Sequence, residues 1–241
     1  MLDLILRALR HPFDYFGVLQ KRTLLFQEII RESDTIYSFI FKMEKPFSWK
    51  AGQHGIFYFP NTKIDGKKWR AFSIASSAEE SVIKVSTVIK QNPSDFKKHF
   101  LELERGDSIL MRGPFGEFHT TSKTKHIIGI AGGIGITPFR ALIKEIVSDK
   151  IADTKLTLIY SAVGAYTFRK EFDALLPHPQ IEIIYTTTPD EVNAKLDLLL
   201  AADSKDAHYF ISGSPGMITA IQTKLKNKGV THIISDSFKG Y

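Results

Sequence analysis

Short runs of hydrophobic residues, separated by polar turns, fill the first half of the chain. Residues 35–42 (TIYSFIFK) alternate between hydrophobic and polar positions, residues 52–59 are a second apolar run, and residues 69–76 and 82–90 are a third and a fourth run. Alternation rich in β-branched and aromatic residues predicts strands. A short helix with Ser94 as its cap follows, and then a strand over residues 108–112. Short strands with one helix predict a small antiparallel barrel.

After Ser122 the pattern changes to compact apolar runs that alternate with helical stretches. The predicted strands are 126–131, 156–162, 181–188, 208–213 and 231–238, and the predicted helices are 138–149, 168–176, 191–202 and 215–229. This β-α alternation predicts a parallel sheet covered by helices on both faces. Because the composition changes near residues 118–125, we place two domains at 21–122 and 123–241, preceded by a segment over 1–20.

The amino-acid composition excludes several kinds of functional site. The chain has no cysteine, which excludes disulfides, a cysteine-bound iron–sulfur cluster within it and a thiol nucleophile. No cluster of residues predicts a metal site. The formal charge of +6 favours an acidic partner or an anionic substrate, although simple solubility explains it equally well. No block of like charges indicates nucleic-acid binding.

The first twenty residues have an amphipathic pattern. Leu2, Ile5, Leu6 and Leu9 recur at helical spacing, with basic residues between them. The segment lacks the features of a signal peptide, and no apolar run approaches the ~20 residues of a membrane span. We expect a short helix packed on the body of a cytoplasmic protein, with peripheral membrane contact as the alternative.

A glycine turn follows the first strand of the second domain. The predicted strand 126–131 runs into Gly132, Gly133 and Gly135 and then into a helix, near whose start Thr137 adds a hydroxyl. Missing Cβ atoms let backbone N–H groups approach a diphosphate, and the helix N-terminus favours negative charge. The pattern therefore predicts a dinucleotide site, with a ligand-free turn as the alternative.

The ends of the following strands are expected to meet the rest of that ligand, since ligands lie beyond the carboxyl ends in open α/β sheets. Ser161, residues 186–188 and Gly213 lie there. No acid for ribose hydroxyls and no arginine for a 2′-phosphate directly follows the strand 156–162.

The first domain offers a second anion site. Arg70 can hold a diphosphate through its forked guanidinium, and Phe72 and Ser73 can contact a flavin ring. The alternative is a surface arginine beside a core phenylalanine. Ser94 offers a further anion position at a helix start. The turn at 113–116 is rigid, and its alternative interpretation is a loop that only joins the domains.

Taken together, these motifs resemble the ferredoxin–NADP reductase superfamily of FAD-dependent NAD(P)H oxidoreductases over about residues 22–241. The matching segments are AGQ (51–53), RAFSIAS (70–76), RGPFGEF (112–118), AGGIGITP (131–138), YSA (160–162), ISGSPGM (211–217) and SDSFKGY (235–241).

The resemblance implies a six-stranded antiparallel FAD-binding barrel followed by an α/β Rossmann-like nucleotide-binding domain. It assigns roles near the flavin edge to Ser73, Ser212 and Asp236. The residues implied to bind FAD or NAD(P)H are Arg70, Phe72, Ser73, Ser76, Ser94, Gly113, Gly132, Gly133, Gly135, Thr137, Ser161, Gly213, Pro215, Met217, Phe238 and Tyr241.

Three departures from the family pattern bear on the chemistry. Ser212 replaces the usual cysteine, which predicts slower hydride transfer, and Phe72 replaces the usual tyrosine. The arginines typical of NADPH-specific members are missing, which favours NADH or a relaxed choice between NADH and NADPH.

The implied reaction is hydride transfer from NAD(P)H to FAD, followed by electron transfer to a separate acceptor. That acceptor is an acidic ferredoxin- or flavodoxin-type protein, free flavin, a ferric chelate or a cytochrome. Two alternatives remain: a cofactor-binding subunit that is active only within a larger complex, and a cofactor-free interaction module.

Overall fold

The computed structural model describes residues 9, 11–148, 153–202 and 206–237. The chain divides into two compact units, residues 1–119 and 120–241. The boundary between the two units falls within the stretch where the composition of the sequence changes.

The first unit is a six-stranded antiparallel sheet with strand order β4-β3-β6-β1-β2-β5. Within the described residues of this unit, two short helices and two 3-10 turns, at Phe16–Leu19 and Ala78–Glu80, accompany the sheet. The bounds are α1 Pro12–Tyr15, β1 Lys21–Arg31, β2 Ile36–Met43, β3 His54–Tyr58, β4 Trp69–Ser73, β5 Ile83–Val88, α2 Asp95–Leu101 and β6 Ser108–Phe115.

The two edge strands of this sheet approach each other. Just beyond β4, the backbone N–H of Ala75 donates to the carbonyl of Lys84 on β5 at 2.7 Å. The sheet therefore curls into a half-barrel. This confirms the predicted antiparallel barrel as a curled six-stranded sheet.

Phenylalanines fill the interior of the first unit. Phe39 and Phe41 lie two residues apart on β2, so both point to the same face, and Phe100 of α2 packs against them at ring-centroid distances of 4.6 and 5.9 Å. All three are fully buried. The alternation in the sequence thus reflects one face turned to this core.

The second unit is a five-stranded parallel sheet with strand order β11-β10-β7-β8-β9 and helices between the strands. The strand order reverses between β7 and β10, which is where ligands bind in open α/β sheets. The bounds are β7 His126–Gly132, α3 Thr137–Val147, β8 Lys155–Ser161, α4 Arg169–Leu175, β9 Ile181–Thr186, α5 Pro189–Ala201, β10 His208–Gly213, α6 Pro215–Asn227 and β11 Ile233–Ser237. The predicted parallel α/β architecture is confirmed.

Part of the expected N-terminal helix can be compared with the structure. Helix α1 and the 3-10 turn cover residues 12–19, whereas residues 1–8 and 10 lie outside the described part of the chain. Among the residues that the structure describes, no helix is long and apolar enough to cross a membrane.

Candidate functional site

Arg70 is the charged centre of the candidate site in the first unit. Its position on β4 buries the side chain, and its Nη1 donates to the carbonyls of Lys67 and Trp69 at 2.6 and 2.8 Å. Its Nη2 donates to Ser94 Oγ at 3.1 Å. These bonds fix the guanidinium and bring together two residues that are predicted to meet a diphosphate.

The hydroxyl of Ser94 bonds to Arg70, whereas the sequence predicts that it caps a helix. Ser94 occupies the N-cap position of α2, yet its side chain makes no capping bond. Its backbone carbonyl accepts from Lys97 and Lys98 N–H at 2.8 and 3.0 Å, while its Oγ accepts from Arg70. The prediction that Ser94 begins the helix is confirmed, but its side chain supports the arginine and does not cap the helix.

Positive charge accumulates next to this pair. Burial lowers the pKa of the Lys97 ammonium, and repulsion by the cations of Arg70 and Lys90 lowers that pKa further. An anion placed beside Arg70 and Lys97 would relieve this repulsion. The charge distribution of the first unit therefore fits a phosphate-bearing ligand.

The remaining predicted residues of the first unit have structural partners of their own. Phe72 lies in the core against Phe57 and Phe100, at ring-centroid distances of 5.6 and 5.5 Å. Ser73 ends β4 and is buried. Ser76 Oγ donates to the carbonyl of Val82 at 2.7 Å, so it stabilises a loop.

Gly113 lies in a tight segment of β6. Its φ is +136°, it precedes a cis peptide bond to Pro114, and its carbonyl accepts from Arg22 Nε at 2.8 Å. Only glycine adopts such a φ readily, so the local backbone itself explains this residue.

In the second unit, the glycine turn closes on the neighbouring strand. β7 ends at Gly132, a 3-10 turn covers Gly133–Ile136, and α3 follows. A Cβ on Gly135 would lie 2.2 Å from the carbonyl oxygen of Ser212, so the turn is pressed against β10. Gly133, by contrast, has φ +54° and nothing within 4 Å of an added Cβ. The turn is thus tight on one side and open on the other.

Gly132 meets Gly213 and Met217, which lie about eighty residues later in the sequence, beside this turn. An added Cβ would lie 2.4 Å from Met217 Sδ at Gly132 and 2.9 Å from it at Gly213. The methionine is held by α6, which begins at Pro215. Three of the predicted ligand-binding residues therefore form one surface.

Two other predicted residues lie close to the glycine turn. Ser161 ends β8 and is in register with Gly132. Thr137 Oγ1 donates to the carbonyl of Ile134 at 3.0 Å, so this hydroxyl stabilises the turn from within.

Ser212 and Asp236 are neighbours in the sheet. They are in register on the parallel strands β10 and β11. Ser212 is fully buried, and its Oγ has no hydrogen-bond partner among the described residues. A buried hydroxyl without a partner costs free energy unless a ligand satisfies it. Phe238 and Tyr241 lie outside the described residues.

The arrangement in the second unit fits a dinucleotide. It combines an open glycine at a strand-to-helix turn, a buried hydroxyl without a hydrogen-bond partner among the described residues and the reversal point of the strand order. Small residues in this turn let a diphosphate approach the backbone.

Sequence reasoning missed Glu191. Its Oε2 accepts from the N–H groups of Thr187 and Thr188 at 2.6 and 3.4 Å, at the start of α5. The hydrogen bonds from Thr187, first from its N–H and then from its hydroxyl, lower the pKa of this exposed carboxyl. The signal in the sequence is the capping-box spacing from Thr188 to Glu191.

Arg169, at the start of α4, makes contacts beside the end of β9 that the sequence analysis did not predict. Arg169 lies over the ring of Tyr185, 4.4 Å from its centroid, and its Nε is 3.3 Å from Asp173 Oδ2. Burial and the Asp173 carboxylate raise the pKa of the Tyr185 phenol. The charge of Arg169 is therefore already paired within the protein.

Comparisons with known proteins agree with this geometry. Residues 22–120 match the family model of the oxidoreductase FAD-binding domain, and residues 130–223 match that of the oxidoreductase NAD-binding domain. Both predicted cofactor types, FAD and a nicotinamide dinucleotide, are thereby confirmed.

Two curated relatives and one solved structure illustrate the similarity. NADH-cytochrome b5 reductase 1 of Kluyveromyces lactis is 26% identical over 222 residues, which cover 85% of this chain and 78% of that protein. One of the subunits of the Na(+)-translocating NADH-quinone reductase of Shewanella denitrificans is 26% identical over 216 residues, covering 78% of this chain and 53% of that protein. Ferredoxin-NADP+ reductase from Plasmodium falciparum with 2'P-AMP shares the fold with a TM-score of 0.76 at 17% identity, covering 92% of this chain and 97% of that one.

Proposed function

The chain belongs to the ferredoxin–NADP reductase superfamily of FAD-dependent NAD(P)H oxidoreductases, and on this premise we propose that it oxidises NADH and delivers the electrons to a separate acceptor. The observation that carries the proposal is the glycine turn. Gly135 is pressed against β10, while Gly133 leaves open space at the carboxyl end of β7. This is the form of a site for a dinucleotide diphosphate.

The first unit holds FAD in this proposal. Arg70, fixed by three hydrogen bonds, and the N–H groups at the start of α2 bind the diphosphate, and the charge of Lys97 adds to the attraction. Ser73, which ends the same strand, lines the flavin end of the site, and Phe72 supports this end from the core. Because Arg70 is buried and already oriented, little conformational entropy is lost when it binds.

The second unit holds NADH. When bound, the two cofactors supply the chemistry, which is hydride transfer from the nicotinamide to the flavin. Ser212 Oγ would donate a hydrogen bond to the nicotinamide end, and Met217 would pack against it. Asp236 is in register with Ser212 and places a carboxyl group at the same level of the sheet. Orientation of the reacting groups supplies much of the rate enhancement.

NADH is the proposed donor because the region beyond β8 and β9 disfavours an additional phosphate. Arg169 is paired with Asp173, so it offers little free positive charge. The N–H groups at the start of α5 are occupied by the Glu191 carboxylate, which repels a 2′-phosphate. The relative from Kluyveromyces lactis is likewise named for NADH.

A cytochrome-type protein is the proposed acceptor, in line with the name of that same relative. The charge of +6 favours an acidic partner of this kind. The second candidate is an electron-transfer subunit that works only within a complex, and the relative from Shewanella denitrificans, itself one subunit of a larger reductase, supports it.

Anaerobic reduction of the FAD-loaded protein tests the proposal. NADH is expected to bleach the flavin absorbance rapidly and NADPH slowly, and ferricyanide is expected to sustain turnover with NADH. A flavin band that neither nucleotide bleaches would overturn the proposed reaction. Bleaching by NADH without turnover on an isolated cytochrome would favour the subunit candidate.

The nucleotide preference has its own test in Glu191→Gln. Removing one negative charge near the extra phosphate is expected to raise kcat/KM for NADPH by about tenfold, with little effect on NADH. Asp190→Asn is the matched control, because Asp190 is exposed in the same helical turn. Equal effects of the two variants, or no gain with NADPH, would refute the role of Glu191.

A further inference from the structure

Residues 9–19 of the first unit expose an unusual amount of apolar surface. The side chains of Leu9, Phe13, Phe16 and Leu19 are 74%, 95%, 61% and 69% exposed. Phe13, Phe16 and Leu19 recur three residues apart through α1 and the following 3-10 turn, which places them along one side of this helical path, and Leu9 precedes it. Single exposed apolar residues are ordinary, but a contiguous group marks an interaction surface. We refer to these four side chains as the apolar ridge.

The opposite side of this segment is tied to the body of the first unit. Tyr15 is buried and packs against Phe115, with ring centroids 6.0 Å apart. Asp14 Oδ1 lies 2.8 Å from His119 Nε2 and 2.9 Å from Lys50 Nζ. The apolar ridge is therefore held outward, because turning it inward would break these contacts.

The backbone of the segment is also held closely. A Cβ on Gly17 would lie only 1.7 Å from the carbonyl oxygen of Pro114, so the 3-10 turn lies directly on the β6 segment. Such a close approach leaves the segment no room to rotate about its axis. The ridge is a fixed feature of the surface.

The charges around the ridge favour an anionic surface. Asp14 is the only acid of the sequence within residues 9–20, and its charge is directed inward and paired. The carboxylate of Glu117 lies 3.8 Å from His11 Nε2 and so faces a residue of the segment. In the sequence, Arg10 lies within this segment, and Arg7 and Lys21 lie on either side of it. An apolar stripe of phenylalanine and leucine with flanking cations is the composition of helices that lie in a membrane interface.

We propose that the apolar ridge docks this protein on the surface of a lipid bilayer that contains anionic headgroups. The four described side chains of the ridge are by themselves too few for a stable protein–protein interface, which buries about 800 Å² on each partner. A bilayer needs no matching shape, and it accepts Phe13 and Phe16 between its headgroups while attracting the flanking cations. This surface is independent of the proposed reaction.

Vesicle co-sedimentation of the full, FAD-loaded chain tests the proposal. Binding is expected with vesicles of phosphatidylcholine and phosphatidylserine, to weaken in salt, and to be much lower with phosphatidylcholine alone. The double variant Phe13→Ser/Phe16→Ser is expected to bind about a hundredfold more weakly, at about tenfold for each phenylalanine removed. The matched control is Val163→Ser/Leu198→Ser, which removes two exposed apolar side chains of the second unit and should bind as the parent does.

Three results would overturn the proposal. In the first, the parent protein stays in the supernatant with both vesicle types; in the second, both double variants bind equally. In the third, sedimentation velocity shows a dimer that Phe13→Ser/Phe16→Ser abolishes, which would make a second copy the occupant of the ridge. Retained flavin absorbance and an unchanged thermal midpoint in the variant would show that lost binding does not reflect unfolding. Absence of NADH oxidation would leave this test unaffected.

Discussion

Two alanine substitutions in the glycine turn separate packing from ligand binding. At Gly135, an added Cβ would lie 2.2 and 2.5 Å from the carbonyl oxygen and carbon of Ser212 and 2.8 Å from Gly213 N. All three are backbone atoms of β10, which cannot move aside as a flexible side chain can. At Gly133, the same Cβ would meet nothing within 4 Å.

The expected costs follow from these distances. Gly135→Ala forces apart two packed backbone segments, and such overpacking costs about 3 kcal/mol. Gly133→Ala creates no overlap, but its φ of +54° is left-handed, which costs a residue with a side chain about 1 kcal/mol. If the diphosphate of NADH lies over Gly133, the new methyl group will displace it and raise KM for NADH by about tenfold or more.

Urea unfolding and steady-state NADH–ferricyanide kinetics measure both effects. Gly135→Ala should lower the unfolding free energy much more than Gly133→Ala does, whereas Gly133→Ala should raise KM while the protein stays folded. An unchanged KM in Gly133→Ala would refute the placement of the diphosphate at this turn. A fully stable Gly135→Ala would refute the packing argument.

The same reasoning extends to one binding residue and one ion pair. Arg70→Lys keeps the charge but loses the fork that reaches Ser94 and the backbone, so FAD is expected to bind about tenfold more weakly in a fluorescence titration. Arg31→Lys, at an exposed site, is the control, and equal FAD affinity in both variants would contradict the role of Arg70. Burial opposes ionisation of Glu171, but hydrogen bonds and charges from Arg140 and Lys144 outweigh it and leave the pKa of this carboxyl below 4.5. A lowered pKa in the folded state adds stability at neutral pH that is lost as the pH falls below about 4.5, so Glu171→Gln should flatten the pH dependence of urea unfolding between about pH 5 and 3. An unchanged slope in that range would rule out this contribution.

Local signals in the sequence were enough for most of the elements and for their order along the chain. Alternation identified strands such as 35–42, and the glycine turn between a strand and a helix identified the start of the nucleotide-binding unit. These signals are readable because side-chain periodicity and turn chemistry act over a few residues. β1 had no bounds in the sequence analysis, because a bulge between Phe26 and Glu28 shifts the phase of its alternation.

The candidate functional surfaces form where segments that are distant in the sequence come close together in the fold. Register placed Ser212 beside Asp236, and sheet packing pressed Gly135 against β10. The exposure of Phe13 and Phe16 likewise could not be read from the sequence, because it follows from the pairing of Asp14 with His119, 105 residues away. Periodicity reports which face of an element is apolar, but strand order and packing decide what that face meets, and those arise only when the whole chain has folded.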